Sequence, residues 1–143
     1  MPSVELARPE DMAAIEECVR RFRLDDERLA AEQFVVVREG GRIVAFGRIK
    51  PYATVHELGC VGVLEEERGR GFGALVVREL IRRFPTPEVW ITTDLPAWFA
   101  RFGFQTSDYP PQELEEKLDG ICSRLRTGVV AMSLRRNAAM ARS

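Results

Sequence analysis

The sequence predicts a mixed α/β domain built on one sheet, antiparallel in its first half and with a parallel strand pair at its centre. Three observations predict it. Two β-rich runs meet across Glu39-Gly40-Gly41, a hairpin signal, and a third run at 54–63 continues the meander. A segment of helical period, 71–84, then separates that run from an apolar strand at 88–93. Strand–helix–strand order makes 54–93 a crossover with parallel strands.

Each element has its own reason. "SVELAR" (3–8) alternates as a short strand. "PEDMAAIEECVRRF" (9–22) sets Met12, Ile15, Val19 and Phe22 on one face and opens with Pro9 and acids, which predicts an amphipathic helix. "LDDERLAAE" (24–32) predicts a second, short helix. "QFVVVREGGRIVAFGRIKP" (33–51) holds the hairpin and stops at Pro51. In "TVHELGCVGV" (54–63), two-residue alternation puts Glu57, Gly59, Val61 and Val63 on one face, with His56 and Cys60 on the other. The 71–84 helix turns Val76, Val77, Leu80, Ile81 and Phe84 inward and ends before Pro85 and Pro87. "EVWITT" (88–93) is a buried strand. "PAWFARFGF" (96–104) is a short helix closed by Gly103, with Trp90 and Trp98 as core residues. Leu114, Leu118, Ile121 and Leu125 predict a helix over 111–125, and "TGVVAMSL" (127–134) a last strand.

No linker or repeat divides residues 1–143, so one domain is expected. The 143 residues are 45% hydrophobic, enough to bury a core without metal or disulfide staples. With 21 basic and 22 acidic side chains there is no field to hold nucleic acid. No run approaches the length of a membrane span, and the first residues lack an apolar signal core. Cys18, Cys60 and Cys122 are far apart and His56 is the single histidine, which predicts a reducing, cytoplasmic setting and no structural zinc. Homodimer formation is left open.

One stretch carries chemistry: "LEEERGRGFGAL" (64–75) spends Gly69, Gly71 and Gly73 where a helix begins. Glycine there costs entropy and packs nothing. It does bare the unpartnered N–H groups of the first helical turn, which suit a phosphate, and Arg68 and Arg70 add two guanidiniums. A Walker loop is excluded because no Gly-Lys-Ser/Thr follows. Gly69, Gly71 and Ala74 also satisfy the dinucleotide fingerprint, with Glu88 downstream. That fingerprint should follow its strand directly, whereas "LEEER" intervenes, and its acid should end a strand, whereas Glu88 starts one.

The whole pattern resembles the GNAT superfamily of acyl-CoA-dependent N-acetyltransferases. Arg68, Gly71 and Gly73 match its R/Q-x-x-G-x-G/A signature, "ELGCVGV" its fourth strand, and "WFARFGF" its F-Y-x-x-x-G-F segment. The order of elements agrees from about residue 3 to 134. The resemblance implies acetyl-CoA as co-substrate, with no metal. It would be bound by Val61, Gly62, Val63, Arg68, Gly69, Arg70, Gly71, Phe72, Gly73, Ala74 and Phe99. It implies Glu57 as general base and the Val63 N–H as donor to the thioester carbonyl. Phe99 stands where the family commonly offers a tyrosine to protonate the thiolate; Tyr52 and Tyr109 do not match that position. The sequence is also similar to catalytic domains of amino-acid N-acetyltransferases of the N-acetylglutamate synthase type. The kinase-like domain of many of those is not in this sequence.

Two functions are therefore expected in competition: acetyl transfer to the amine of a small molecule, and acyl-CoA binding without turnover, for which Phe99 argues. His56 points away from Glu57 by alternation and is structural. Cys60 does the same, so a cysteine acyl-enzyme is not expected. The 111–125 helix would roof the acceptor side, and Arg48 and Lys50 would meet a substrate carboxylate. These features predict a small free amino acid as acceptor, glutamate first.

Overall fold

The computed structural model describes residues 2–122, 125 and 127–137. In chain order its elements are β1 (Ser3–Leu6), α1 (Met12–Arg21), β2 (Phe34–Glu39), β3 (Arg42–Pro51), β4 (His56–Val63) and α2 (Phe72–Arg83). Then follow β5 (Glu88–Thr93), α3 (Pro96–Ala100), β6 (Gln105–Thr106), α4 (Gln112–Lys117) and β7 (Val130–Arg135). Strands β1 to β4 form one antiparallel sheet in that order, and β5, β7 and β6 form a second. The β2–β3 turn has Gly40 at φ 61° and Gly41 at φ 77°, the doubly left-handed turn whose twist matches paired strands.

The first sheet is covered on both faces. Val35, Val37 and Leu58 pack with Val76, Val77 and Leu80 of α2, while Phe34, Val36 and Phe46 pack with Ile15 and Val19 of α1. Helix α2 reaches the sheet at Gly47, where a Cβ would stand 2.6 Å from Val76 Cγ1.

The crossover brings β5 beside β4, but among the described residues no ladder joins them. The expected central parallel pair is thus two neighbouring strands in separate sheets, with a gap between them. Their side chains still meet at the lower end, where Thr92 Oγ1 donates to Glu57 Oε2 at 2.5 Å.

The alternation expected along β4 is broken. Arg48 pairs with Gly59 but Phe46 pairs with Gly62, so β4 spends three steps where β3 spends two. The extra residue is a bulge at Cys60, whose φ is 50°. A bulge reverses the face of everything beyond it. Glu57 and Cys60 therefore share the α1 side of the sheet, whereas Leu58, Val61 and Val63 join the α2 side. The expected common face of Glu57 with Val61 and Val63, and the expected separation of Cys60 from Glu57, are both corrected. His56 does lie opposite, its ring 6.3 Å from that of Phe84.

The helix expected over 24–32 is replaced by a turn ending in a 3-10 turn at Ala31–Gln33. Its carbonyls are taken by side chains from elsewhere. Arg48 donates to Asp25 O and Glu27 O, each at 2.9 Å, and Gln33 Nε2 to Arg28 O at 2.9 Å. The Asp25 carboxylate accepts the Glu27 N–H at 2.9 Å, a local bond that competes with helix. Helix α4 runs six residues and widens into a π turn over Leu118–Cys122. Residues 123 and 124 of the expected 111–125 helix lie outside the described residues. Trp90, expected in the core, is half-buried on the strand face opposite Val89 and Ile91.

Candidate active site

A cleft of about 900 Å³ runs between the end of β4, the start of α2 and α3. Its walls include Val61, Gly62 and Val63 of β4, the 67–74 loop and helix start, and Trp98 and Phe99 of α3. Leu64 N–H donates to Val44 O at 2.9 Å, so by alternation of strand edges the Val63 N–H projects away from β3, toward the gap. Gly69 and Gly71 have φ of 86° and 87°, and nothing lies within 4 Å of where their Cβ atoms would stand. At Gly73 a Cβ would stand 3.4 Å from the Trp98 ring, in ordinary van der Waals contact. The helix start therefore presents a bare backbone to the cleft, which fits a diphosphate at a helix N-terminus.

The two arginines of this loop divide. Arg68 stays at the cleft, its Nε donating to Val63 O at 3.1 Å and its guanidinium 4.9 Å from the Phe22 ring. Arg70 is committed to carboxylates, Glu39 at 2.7 and 2.9 Å and Glu67 at 2.5 Å, which neutralise the charge expected to meet the ligand. Phe72 and Phe99 are nearly buried at the cleft wall, and Ala74 lines it. Trp98 is a wall of the cleft as well as a core residue, stacked edge-on to Phe99 at 4.9 Å.

Beyond the cleft lies a second, small pocket of about 60 Å³, beside Glu57, Cys60, Thr92, Arg23 and Lys117; Leu24 lies in the wall of both. Glu57 is 1% exposed. It accepts from the Tyr52 hydroxyl at 2.8 Å, from Thr92 at 2.5 Å, and from Lys117 Nζ at 2.8 and 2.7 Å. Lys117 also lies 3.0 Å from Asp25 Oδ2, which Lys50 meets at 2.6 Å. Burial and the Glu57 charge push the Tyr52 phenol above its ordinary range, so it remains a donor. Burial likewise raises the Cys60 thiol, whose Sγ donates to Asp25 O at 2.9 Å. Sharing a face with Glu57 does not make it a nucleophile.

Arg48 and Lys50 are each 1% exposed, and their polar atoms bond protein groups: Arg48 the turn carbonyls and Gln33, Lys50 Asp25 and Glu27. The expectation that they meet a substrate carboxylate is corrected. They build the wall behind the pocket. Among the described residues, the three non-glycine residues in left-handed backbone, Arg23, Arg28 and Cys60, all surround this wall. Local strain of this sort persists where surrounding contacts over-determine it.

Asp25 sets how the wall responds to acid. Burial pushes its carboxyl up, but the Lys117 charge and bonds from Lys50 and the Glu27 N–H outweigh that and hold it well below the usual range. The unfolded chain therefore takes up this proton first as pH falls. The stabilisation is full above about pH 5 and is lost progressively below it. Asp25→Asn is expected to cost about 3–5 kcal/mol at pH 7, because Lys50 and Lys117 would each lose one of their two carboxylate partners, and to lose part of the fall in stability on acidification. Urea unfolding of both proteins at pH 7 and pH 4 checks this; equal acid sensitivity would remove Asp25 from the account.

A model of the acetyltransferase (GNAT) family matches residues 4–104. The chain belongs to that family. Solved structures agree on the fold of this GNAT domain. N-acetylglutamate synthase from Neisseria gonorrhoeae, complexed with coenzyme A and N-acetyl-glutamate, matches it with a TM-score of 0.79 at 19% identity. That match covers 96% of this chain and 35% of that one, so the GNAT domain spans about a third of the Neisseria protein. Rv2747 from Mycobacterium tuberculosis, in complex with CoA, has a TM-score of 0.79 at 22% identity, covering 94% of this chain and 99% of its own. The ribosomal-protein-S18-alanine N-acetyltransferase from Escherichia coli reaches 0.65 at 15% identity, with 96% of each chain covered. No curated protein matches the sequence. No helix among the described residues of the GNAT domain is long and apolar enough to cross a membrane.

Sequence reasoning missed Arg23, Asp25, Thr92 and Lys117, which lie 34, 32, 35 and 60 positions from Glu57 and carry no motif. Tyr52 had a signal: Pro51 pairs with His56, so the strand break there returns Tyr52 beside Glu57.

Proposed function

We propose that this GNAT domain is an acetyl-CoA-dependent N-acetyltransferase acting on the amine of a small molecule, with free amino acids, glutamate first, as the acceptor class. The supporting observation is that a cleft at a bare helix N-terminus lies beside a small pocket walled by a buried carboxylate, with Leu24 in the wall of both. The N–H groups at residues 71–74 and Arg68 would hold a diphosphate, and the Val63 N–H would polarise the thioester carbonyl. Bound there, acetyl-CoA supplies an activated acetyl group.

The residues of the chain do the rest. Glu57 takes the proton that the attacking amine loses as its nitrogen–carbon bond forms and the carbon–sulfur bond breaks. Both Glu57 oxygens already accept bonds, so the proton is accommodated when the Thr92 hydroxyl turns from donor to acceptor. The thiolate takes its proton from solvent, since Phe99 offers none. With Arg48 and Lys50 sealed in the wall, Arg23 is the arginine at the acceptor pocket.

Thiol release is the test, measured with acetyl-CoA and free glutamate, other amino acids or a lysine peptide. A clear preference for the peptide would overturn the acceptor class. No release with any amine, alongside tight acetyl-CoA binding, would select the binding module for which Phe99 argues. Arg23→Ala is expected to raise the acceptor KM by about tenfold or more, the worth of one charge-assisted hydrogen bond, and to leave the acetyl-CoA KM alone. An unchanged acceptor KM would move the carboxylate contact elsewhere.

A further inference from the structure

Helix α4 is fastened to the site by two side chains one turn apart on the same face. Glu113 accepts the Thr54 N–H at 2.9 Å and also the Thr54 hydroxyl. Lys117, 8% exposed, places one ammonium between the two most buried carboxylates of the wall, Glu57 and Asp25. The two do not share their other cations. Lys50 and Arg48 reach Asp25, at 2.6 and 3.5 Å, from β3. The remaining polar groups given to Glu57 are neutral: the Tyr52 hydroxyl from the β3–β4 turn and the Thr92 hydroxyl from β5. Cys60 on its own strand bonds Asp25 O, and Asp94 and Arg23 line the same pocket. Among the described residues Lys117 is thus the cation paired with Glu57, and it engages both oxygens.

We propose that Lys117 is the positioning residue of the reaction: its ammonium, bonded to both oxygens, orients the Glu57 carboxylate at the acceptor pocket, so that the charge carried by α4 bears on the pH dependence of turnover. This rests on Glu57 being the base. A carboxylate buried among hydroxyls alone favours its neutral form, whereas an ammonium within 3 Å favours the charged one, the form that can accept the amine's proton. Removing only the charge should therefore move the acid limb of the pH–rate profile and leave acetyl-CoA binding as it was.

The experiment compares pH–rate profiles of Lys117→Met, Lys117→Gln and Lys117→Arg with that of the natural chain. Met and Gln should each shift the acid limb to higher pH by about one pH unit or more, with turnover on that limb falling about tenfold or more. Arg, which keeps the charge, should restore it. Gln retains a donor to Glu57 and remains informative if the Met variant fails to fold. Glu57→Gln serves as the reference. If it keeps the acid limb, the base assignment falls and this inference falls with it. If it loses the limb while Met and Gln leave theirs in place, the inference alone is overturned.

Discussion

Gly71→Glu is expected to abolish acetyl-CoA binding. Gly71 caps α2 at φ 87° and ψ 6°, and its carbonyl receives the Leu75 N–H at 3.2 Å. The space where a side chain would project is empty to 4 Å, so glutamate fits the fold and fills the cleft. The left-handed backbone costs about 1–2 kcal/mol for a residue with a Cβ, which a domain of this size tolerates. The larger effect falls on the ligand. A carboxylate at a helix N-terminus competes for the same N–H groups that a diphosphate would use and repels its charge. Losing two or three charge-assisted hydrogen bonds of about 1.5–3 kcal/mol each lowers affinity by about a thousandfold or more. Gly71→Ala carries the strain without the charge and should lose far less. Calorimetry with acetyl-CoA on both variants, with thermal unfolding as the control, checks it. Wild-type affinity in the glutamate variant would place the site elsewhere.

Glu57→Gln is expected to lower turnover about 10²-fold or more, the usual loss when a general base is removed, with acetyl-CoA affinity nearly intact. The side chain is far enough from the glycine loop for that separation, since it lines the small pocket and not the cleft. The amide keeps acceptors and donors for Tyr52 and Thr92 but cannot take a proton or neutralise Lys117. The acid limb should vanish with it. Stability should fall as well, because Lys117 loses one of the two carboxylates it bridges, so turnover is to be measured on folded protein only. Turnover at the wild-type level would reduce Glu57 to a structural acid.

These two residues were legible in the sequence for different reasons. Gly71 lies in a local pattern, glycines at a helix start, and a local pattern has one physical meaning wherever it folds. The helix over 71–84, the hairpin at Gly40-Gly41 and the strand at 88–93 were legible in the same way, because periodicity and turn chemistry act over a few residues. Glu57 was found by resemblance to a family strand, and the alternation offered in its support was mistaken. Alternation holds only while a strand stays regular, and the bulge at Cys60 depends on pairing with β3.

The wall around Glu57 was decided only by tertiary structure. Nothing in 24–32 announces that Arg48 will take the carbonyls that its helix needed, or that Lys50 will be sealed against Asp25. Arg48 and Lys50 look like surface cations in a charged strand end. They are buried because the turn, β3, β4 and α4 converge, and a buried charge is tolerated only where opposite charge and hydrogen bonds converge with it. Lys117 is one such partner, 60 positions from Glu57. By itself the sequence determined most of the elements, their order and the bare loop, all set by neighbours along the chain, but not the 24–32 turn. The small pocket at Glu57 and its ion pairs were decided by packing, since their energy exists only when distant segments meet and water is excluded.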